Sequence, residues 1–373
     1  MGESLVRSAG DGGCTTLTHR ARCRNAERIS MLRRLFEFVA AGFIAGAMTS
    51  CGGGGDRVSL SPSPTPAPAP SPSPMPIPAQ LSVPEPVGYS VDQMAAFNRL
   101  NEIRVAAGLG MLSQDTRLDH AARAHMDWQL VNDVMTHVEL AGTEGFFGEN
   151  WWDRDIAAGY SVAGGGEVLA FGDSPARGIE ALVYGPYHRA ALFEFDPVDV
   201  GIGWSSRRAS NVVLPLVVEF SSPKDEPSRS AGQMAQAGTS AVVIWPLDGA
   251  KDLATHMGDE VPSPVPNVDA MELGTSASIS VETGASIETT SFSIVEDASG
   301  VLIPSVVLDK SRDSAHLLAG SFVAVIPLEG LKINTVYRVE FVGKILRVDL
   351  SLPQAYSRTW RFATGEWAYP PQY

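Results

Sequence analysis

Apolar positions recur at helical spacing in three stretches between residues 85 and 225. The first begins at Ser90 and Gln93, which have the spacing of a capping box, and it ends at Gly108. The second covers residues 116 to 131, and the third begins at Ser174 and Pro175, which are typical of a helix cap and a first helical position. Three helices are therefore predicted, with these inward positions: Met94, Phe97, Leu100, Ile103, Leu118, Ala121, Ala122, His125, Ile179 and Leu182.

Two runs with strand character follow these helices, over residues 200 to 205 and 211 to 221. The second run is rich in valine and leucine, which is typical of a central strand that is buried on both faces. Because the predicted helices come before the antiparallel strands in the sequence, we expect a layered α+β domain over residues 85 to 225.

The rest of the chain has a different pattern. A polar break over residues 226 to 237 is followed by seven short β-rich runs with turns between them, which predict an all-β sandwich over residues 238 to 370. The runs cover residues 241–245, 277–281, 291–295, 301–307, 321–326, 336–342 and 358–363.

Composition narrows the classes of partner. The chain has 373 residues and a net charge of −14, so electrostatics gives it no attraction for the phosphates of nucleic acid. Its three cysteines, Cys14, Cys23 and Cys51, all precede the predicted domains. The domains therefore have no disulfide framework, and burial must stabilise them.

The segment before Cys51 has the layout of a signal peptide over residues 31 to 50. A basic start at Arg33 and Arg34 precedes an apolar run over residues 35 to 47, which is shorter than the roughly 20 residues of a membrane span. The residues from Met48 to Cys51 resemble the lipobox of bacterial lipoproteins. That resemblance implies lipidation of Cys51 and an exported protein, anchored in the membrane and facing the periplasm or the cell surface. Ordinary cleavage, which would release a soluble protein with a free thiol, is the alternative.

The flanks of this segment carry no pattern of a folded domain. Residues 1 to 30 are basic and lack an apolar run, so they are predicted to be disordered or to precede the true start at Met31. Residues 51 to 84 begin with glycines and continue into a stretch rich in proline and serine, which is typical of an extended linker.

Residues 85 to 225 resemble a bacterial CAP domain, of the superfamily of cysteine-rich secretory proteins, antigen 5 and pathogenesis-related 1 proteins. The resemblance rests on motifs that occur in the family's order. They are FNRLNEIRVAAGLGMLSQDTRLDHAARAH, Thr136-His137, Asp153-Arg154, Ala157-Ala158-Gly159-Tyr160, Gly166-Glu167, Tyr187-His188-Arg189 and Val200-Gly201-Ile202-Gly203. The resemblance implies a CAP-type α-β-α sandwich. The end of the chain resembles bacterial Ig-like domains, which implies an Ig-like sandwich with a structural or adhesive role.

The CAP resemblance implies a cleft that contains two histidines and one or two glutamates. By position these are His137, Glu167 and His188. Gly148-Glu149-Asn150 matches the family's usual Gly-Glu-Asn motif, but it lies before motifs that normally precede it in the family. Glu167 is therefore preferred to Glu149. Glu180 is the candidate for a second carboxylate.

Three functions are compatible with such a cleft. It would bind a small ligand, either a lipid or a divalent cation such as zinc held by His137, His188 and Glu167, with one position left to water. The alternatives are a metal-dependent hydrolase or protease that uses the same cleft, and a non-catalytic interaction or adhesion protein of the cell envelope. The family resemblance favours binding over catalysis and leaves catalytic residues unassigned.

Two neighbouring segments bear on this cleft. Trp151 and Trp152 are expected in an aromatic core, with a hydrophobic groove as the alternative. Gly164 to Gly166 are expected to form a flexible approach to Glu167.

Overall fold

The computed structural model describes residues 80–212, 214–226 and 242–370. The predicted signal peptide, Cys51 and the linker up to residue 79 lie outside the described residues and stay predictions. The protein is α+β. We refer to residues 80–226 as the first region and to residues 242–370 as the second region.

A four-stranded sheet forms the centre of the first region. Its strands are β1 (Ser113–Gln114), β2 (Val162–Phe171), β3 (Asp199–Trp204) and β4 (Pro215–Pro223). The spatial order is β1-β3-β4-β2, with β1 parallel to β3 and the other neighbours antiparallel. Strand β4 is buried along its whole length, as its valine-rich sequence predicts.

Five helices accompany this sheet: α1 (Val91–Ala106), α2 (Thr116–Asn132), α3 (Trp151–Ala157), α4 (Pro175–Leu182) and α5 (Pro186–Leu192). The capping box of Ser90 and Gln93 is present at the start of α1, as predicted. Ser174 is the N-cap residue of α4, although its side chain makes no capping hydrogen bond.

Alternating residues of the strands pack against helices on opposite faces of the sheet. Val200 and Ile202 share a core with Phe97 of α1 and Ile179 of α4. On the other face, Leu169 and Val217 pack with residues of α2, namely Ala122 and Met126. The first region therefore has helices on both sides of its sheet.

Two four-stranded sheets make up most of the second region, in the orders β5-β7-β10-β9 and β6-β12-β11-β8. Their apolar faces share one core, to which Ile279, Val323, Val339, Phe341 and Trp360 belong. The strands are β5 (Val243–Trp245), β6 (Ala250–Leu253), β7 (Ala277–Ser280), β8 (Ser286–Glu296), β9 (Ser305–Asp309), β10 (Phe322–Pro327), β11 (Val336–Leu346) and β12 (Gln354–Thr364).

The pattern of apolar positions located the three longest helices and placed a strand in each of the seven β-rich runs. It missed α3, β2, α5 and the short strands β1 and β6. The expectation for Gly164 to Gly166 was wrong, because these residues lie within β2 and pair with β4. A Cβ atom on Gly165 would lie 2.1 Å from the carbonyl oxygen of Phe220, so this glycine permits close pairing of the strands.

None of the helices that the structure describes is both long enough and apolar enough to span a membrane.

Candidate functional site

His137 and Glu167 are in direct contact in the structure. His137 lies in the loop between α2 and α3, and its side chain is 49% exposed. Glu167 lies in β2 and its side chain is fully buried. The Nδ1 atom of His137 is 2.7 Å from Oε1 of Glu167. A buried carboxylate thus orients an imidazole ring that remains accessible at the surface.

Arg154 of α3 holds both members of this pair. Its Nη2 atom donates to Oε2 of Glu167 at 2.6 Å, and its Nη1 atom donates to the carbonyl oxygen of His137 at 3.2 Å. The arginine is completely buried. Because the planar guanidinium fixes the directions of its donors, Arg154 fixes the loop that carries His137 (the histidine loop) relative to β2.

The surroundings of Glu167 determine its charge state. Burial alone would raise the pKa of this carboxyl group. The charge of His125, the hydrogen bond from His137 and the charge of Arg154 outweigh burial and hold the pKa of Glu167 well below its ordinary value. Glu167 is therefore a permanent carboxylate at neutral pH, which suits it to orient His137.

A second carboxyl group faces Glu167 across the sheet. Glu219 of β4 is the register partner of Glu167 and is completely buried. Burial, followed by the charges of Glu167 and Asp155, raises the pKa of Glu219 well above its ordinary value and favours its neutral form. Glu219 was not among the predicted site residues. A glutamate within the apolar run Val217-Val218-Glu219-Phe220 was the signal that could have identified it.

His125 of α2 anchors the loop that carries His137. The Nδ1 atom of His125 is 2.9 Å from Oε1 of Glu139, and its Nε2 atom is 2.8 Å from the carbonyl oxygen of Thr136. The other carboxylate oxygen of Glu139 accepts hydrogen bonds from the amides of Phe147 and Gly148. This fully buried pair ties α2 to the loop on both sides of His137.

His188 has a different partner. The Nδ1 atom of His188, in α5, is 3.2 Å from Oε2 of Glu260, which belongs to the second region. Burial would lower the pKa of His188, but the negative charge of the neighbouring Glu260 outweighs burial and raises it. The contact that the resemblance implied between His188 and Glu167 is not among those of the described residues.

The two remaining glutamates lie elsewhere. Glu180 pairs with Arg99 of α1 at 3.1 Å, and both side chains are partly exposed, so Glu180 does not supply the second carboxylate of this site. Glu149 is exposed, and its carbonyl oxygen accepts hydrogen bonds from the Glu139 amide and from Arg154. Of the two alternatives for the glutamate next to His137, the structure brings Glu167 into contact.

The residues here do not fit a metal ion. Both oxygens of Glu167 are engaged, one by His137 and one by Arg154, whose positive charge occupies the place that a cation would need. Among the residues that the structure describes, no three or more histidine, cysteine, aspartate or glutamate side chains are placed to hold a metal.

Apolar side chains are exposed on the two segments that carry His137 and Arg154. Trp152 is 43% exposed and Ile156 is 59% exposed, one helical turn apart on α3. Trp152 is therefore not part of an aromatic core, which corrects the expectation for it. It contacts the ring of Trp151 edge to face. Further exposed apolar side chains come from the loop that carries His137, namely Val138, Leu140 and Phe146.

Comparisons with known proteins identify no family. No family model matches the chain, and no curated protein matches it. Similar solved structures include an outer surface protein from Borrelia burgdorferi, with 24% sequence identity and a TM-score of 0.31. That match covers 36% of this chain and 93% of the other.

Proposed function

We propose that this protein is an exported lipoprotein whose first region is a CAP-type domain that binds a small amphipathic lipid at His137. The second region is then an Ig-like sandwich that carries this domain at the cell envelope. The observation that supports ligand binding best is the half-exposed His137, whose Nδ1 atom is held by buried Glu167.

The geometry of the pair defines what it offers a ligand. With Nδ1 engaged by Glu167, the Nε2 atom is the ring nitrogen that is left to meet a ligand. Through Nε2, an imidazole ring that is oriented in this way accepts a hydrogen bond from a hydroxyl group, and in its protonated form it donates one to a carboxylate. It is also the arrangement of a general base, which is why the hydrolase alternative depends on the same residues.

The apolar side chains exposed on the segments that carry His137 and Arg154 favour an amphipathic ligand over a purely polar one. Val138, Leu140, Phe146, Trp152 and Ile156 all expose apolar side chains on the same loop and on α3. Contiguous exposed apolar patches commonly mark a binding surface, and we propose that these side chains form such a patch. A fatty acid satisfies both features, because its carboxyl group would meet His137 and its chain would lie on these side chains.

A palmitate titration tests this function. We expect palmitate to quench the fluorescence of Trp152 in the natural chain, and we expect H137A to weaken binding at least tenfold. The exchange E167Q should weaken binding less, because glutamine retains an oxygen for the ring. The matched control is H316N, which changes an exposed histidine of the second region whose positive φ asparagine also adopts. Equal palmitate affinity in H137A and H316N would refute the proposal.

A further inference from the structure

The second region has an open surface cavity of its own, which shares no residue with the His137 site. Its volume is about 440 Å³, within the range of roughly 300 to 1,000 Å³ that is usual for small-molecule sites. Asp252 of β6 lines it together with Asn334, from the loop before β11, and with Glu366 and Trp367, which follow β12. The cavity thus combines one aromatic side chain with three polar ones.

Trp367 supplies the apolar surface of this cavity. Its side chain is 64% exposed, and its indole ring makes no ring contact with the residues that the structure describes. Its backbone is held firmly, because the amide of Thr255 donates to its carbonyl oxygen and the amide of His256 donates to that of Ala368, both at 2.9 Å. The ring therefore offers its apolar faces to a molecule that enters the cavity.

The three polar side chains have no partner within the described part of the chain. The carboxylates of Asp252 and Glu366 and the amide of Asn334 make no hydrogen bond or ion pair there. Carboxylates only accept hydrogen bonds, whereas an amide group both donates and accepts them. The cavity therefore presents a complete set of donors and acceptors next to the indole ring.

A β-bulge places Asp252 at this cavity. Lys251 and Asp252 of β6 lie opposite a single residue of β12, Ala363, and the φ angle of Asp252 is 58°, in the left-handed region. Such a bulge redirects a side chain from the regular alternation of a strand. Gly365 lets the segment after β12 pass close by, because a Cβ atom on it would lie 3.0 Å from Cα of Asp252.

We propose that this cavity binds a neutral sugar ring of a polysaccharide, which stacks on Trp367 and hydrogen-bonds to the three polar side chains. One face of a sugar ring carries C–H groups, which pack on the electron-rich face of an indole. Its rim carries hydroxyl groups, which donate to carboxylates and accept from an amide. The two unpaired carboxylates repel an acidic ligand. This inference goes beyond the proposed function, because it assigns the second region a ligand that does not involve His137.

An NMR titration of the full chain tests the proposal. The probes are three neutral hexasaccharides, namely chitohexaose, cellohexaose and maltohexaose, at up to about 10 mM, which detects a Kd on the order of 1 mM. We expect at least one of them to shift the indole N–H signal of Trp367, which is identified by its absence in W367F. The indole signal of Trp152, which is 43% exposed and lies outside this cavity, is the internal control. No shift of the Trp367 signal with any of the three, or equal shifts of both signals, would overturn the proposal.

Variants then test the roles of the side chains. We expect W367A to weaken sugar binding at least tenfold, and the double exchange of D252N with E366Q to weaken it several-fold, because hydrogen bonds to charged groups are stronger than those to neutral ones. The matched control is E288Q, which changes an exposed glutamate of the same region. Thermal unfolding should be unchanged in all of these variants, since the exchanged side chains are exposed. Sugar affinity in W367A equal to that in E288Q would contradict the proposal.

Two charged probes separate the alternatives. Hexagalacturonate, an acidic sugar, should not shift the Trp367 signal, because the two carboxylates repel it. Binding of hexalysine without binding of any neutral sugar would assign the cavity to a cationic peptide and overturn the proposal. The outcome is independent of palmitate binding, since H137A should bind the sugar as the natural chain does. Loss of sugar binding in H137A would show that the ligand is bound at the His137 site instead.

Discussion

Asp155 is a buried carboxyl group beside Arg154 that makes stability depend on pH. Burial, only partly offset by the hydrogen bond from Ser221, and the charge of Glu167 raise the pKa of Asp155 from 3.8 to about 7. When folding raises the pKa of a carboxyl group, that group stabilises the folded state at pH values below its pKa in the unfolded chain. That stabilisation disappears as pH rises through the folded pKa.

The exchange D155N should therefore remove part of the loss of stability between pH 4 and pH 8. We expect D155N to be more stable than the natural chain at pH 8, by on the order of 2 kcal/mol, and similar to it at pH 4. Urea unfolding at both pH values measures this difference. The control is D127N, because Asp127 is half-exposed and pairs with Arg207. Identical pH dependence in D155N and the natural chain would show that Asp155 does not titrate in this range.

The site residues differed in how far the sequence identified them. His137 and Glu167 were found from a resemblance, and the structure joins them. Glu219 and Glu260 were missed for a physical reason. Each acts through a partner distant in the chain, across a strand register for Glu219 and across two regions for Glu260, and single-sequence periodicity carries no information about such pairing.

At the scale of elements, the packing of α2 on β3 determines where the histidine loop begins. Gly201 and Gly203 point at the backbone of α2, and a Cβ atom on Gly201 would lie 2.0 Å from the carbonyl carbon of Leu118. The helix therefore approaches the sheet more closely than any side chain on Gly201 would permit. Since α2 carries His125, which holds the loop, this approach also positions His137.

We expect G201A to destabilise the protein by about 1 to 3 kcal/mol, because the backbone of α2 must move to admit a methyl group. Urea unfolding gives the change in free energy, and palmitate titration shows whether the site moves with the helix. The control is G164A, since a Cβ atom on Gly164 of β2 meets nothing within 4 Å. A loss of stability in G164A as large as that in G201A would argue against close packing as the cause.

The elements that the sequence missed share two properties. Helices α3 and α5 have seven residues each, which is too few for a helical repeat of apolar positions to become visible. Strand β2 contains three consecutive glycines, which are typical of loops, and it is nevertheless a strand because β4 pairs with it along its length. Long-range pairing thus determined the secondary structure of β2, whereas the local periodicity of apolar residues was sufficient to predict α1 and α2.

At the scale of the whole molecule, the described residues belong to one compact unit. The apolar core of the first region includes Val243, Trp245 and Ala254 of the second. Trp245 contacts the ring of Tyr184 edge to face and lies 4.3 Å from the guanidinium carbon of Arg189. Regions joined by a continuous core are expected to stay associated without a covalent connection.

Cleavage of the folded chain tests that association. A protease site introduced between residues 226 and 242 would be cut after folding, and the two pieces should elute together in size-exclusion chromatography. The added exchange W245A should promote separation of the cut pieces, because it removes a ring that contacts Tyr184 and Arg189. The uncut W245A chain is the control for folding. Separation of the pieces without that exchange would mean that the peptide connection, rather than the shared core, keeps Glu260 beside His188.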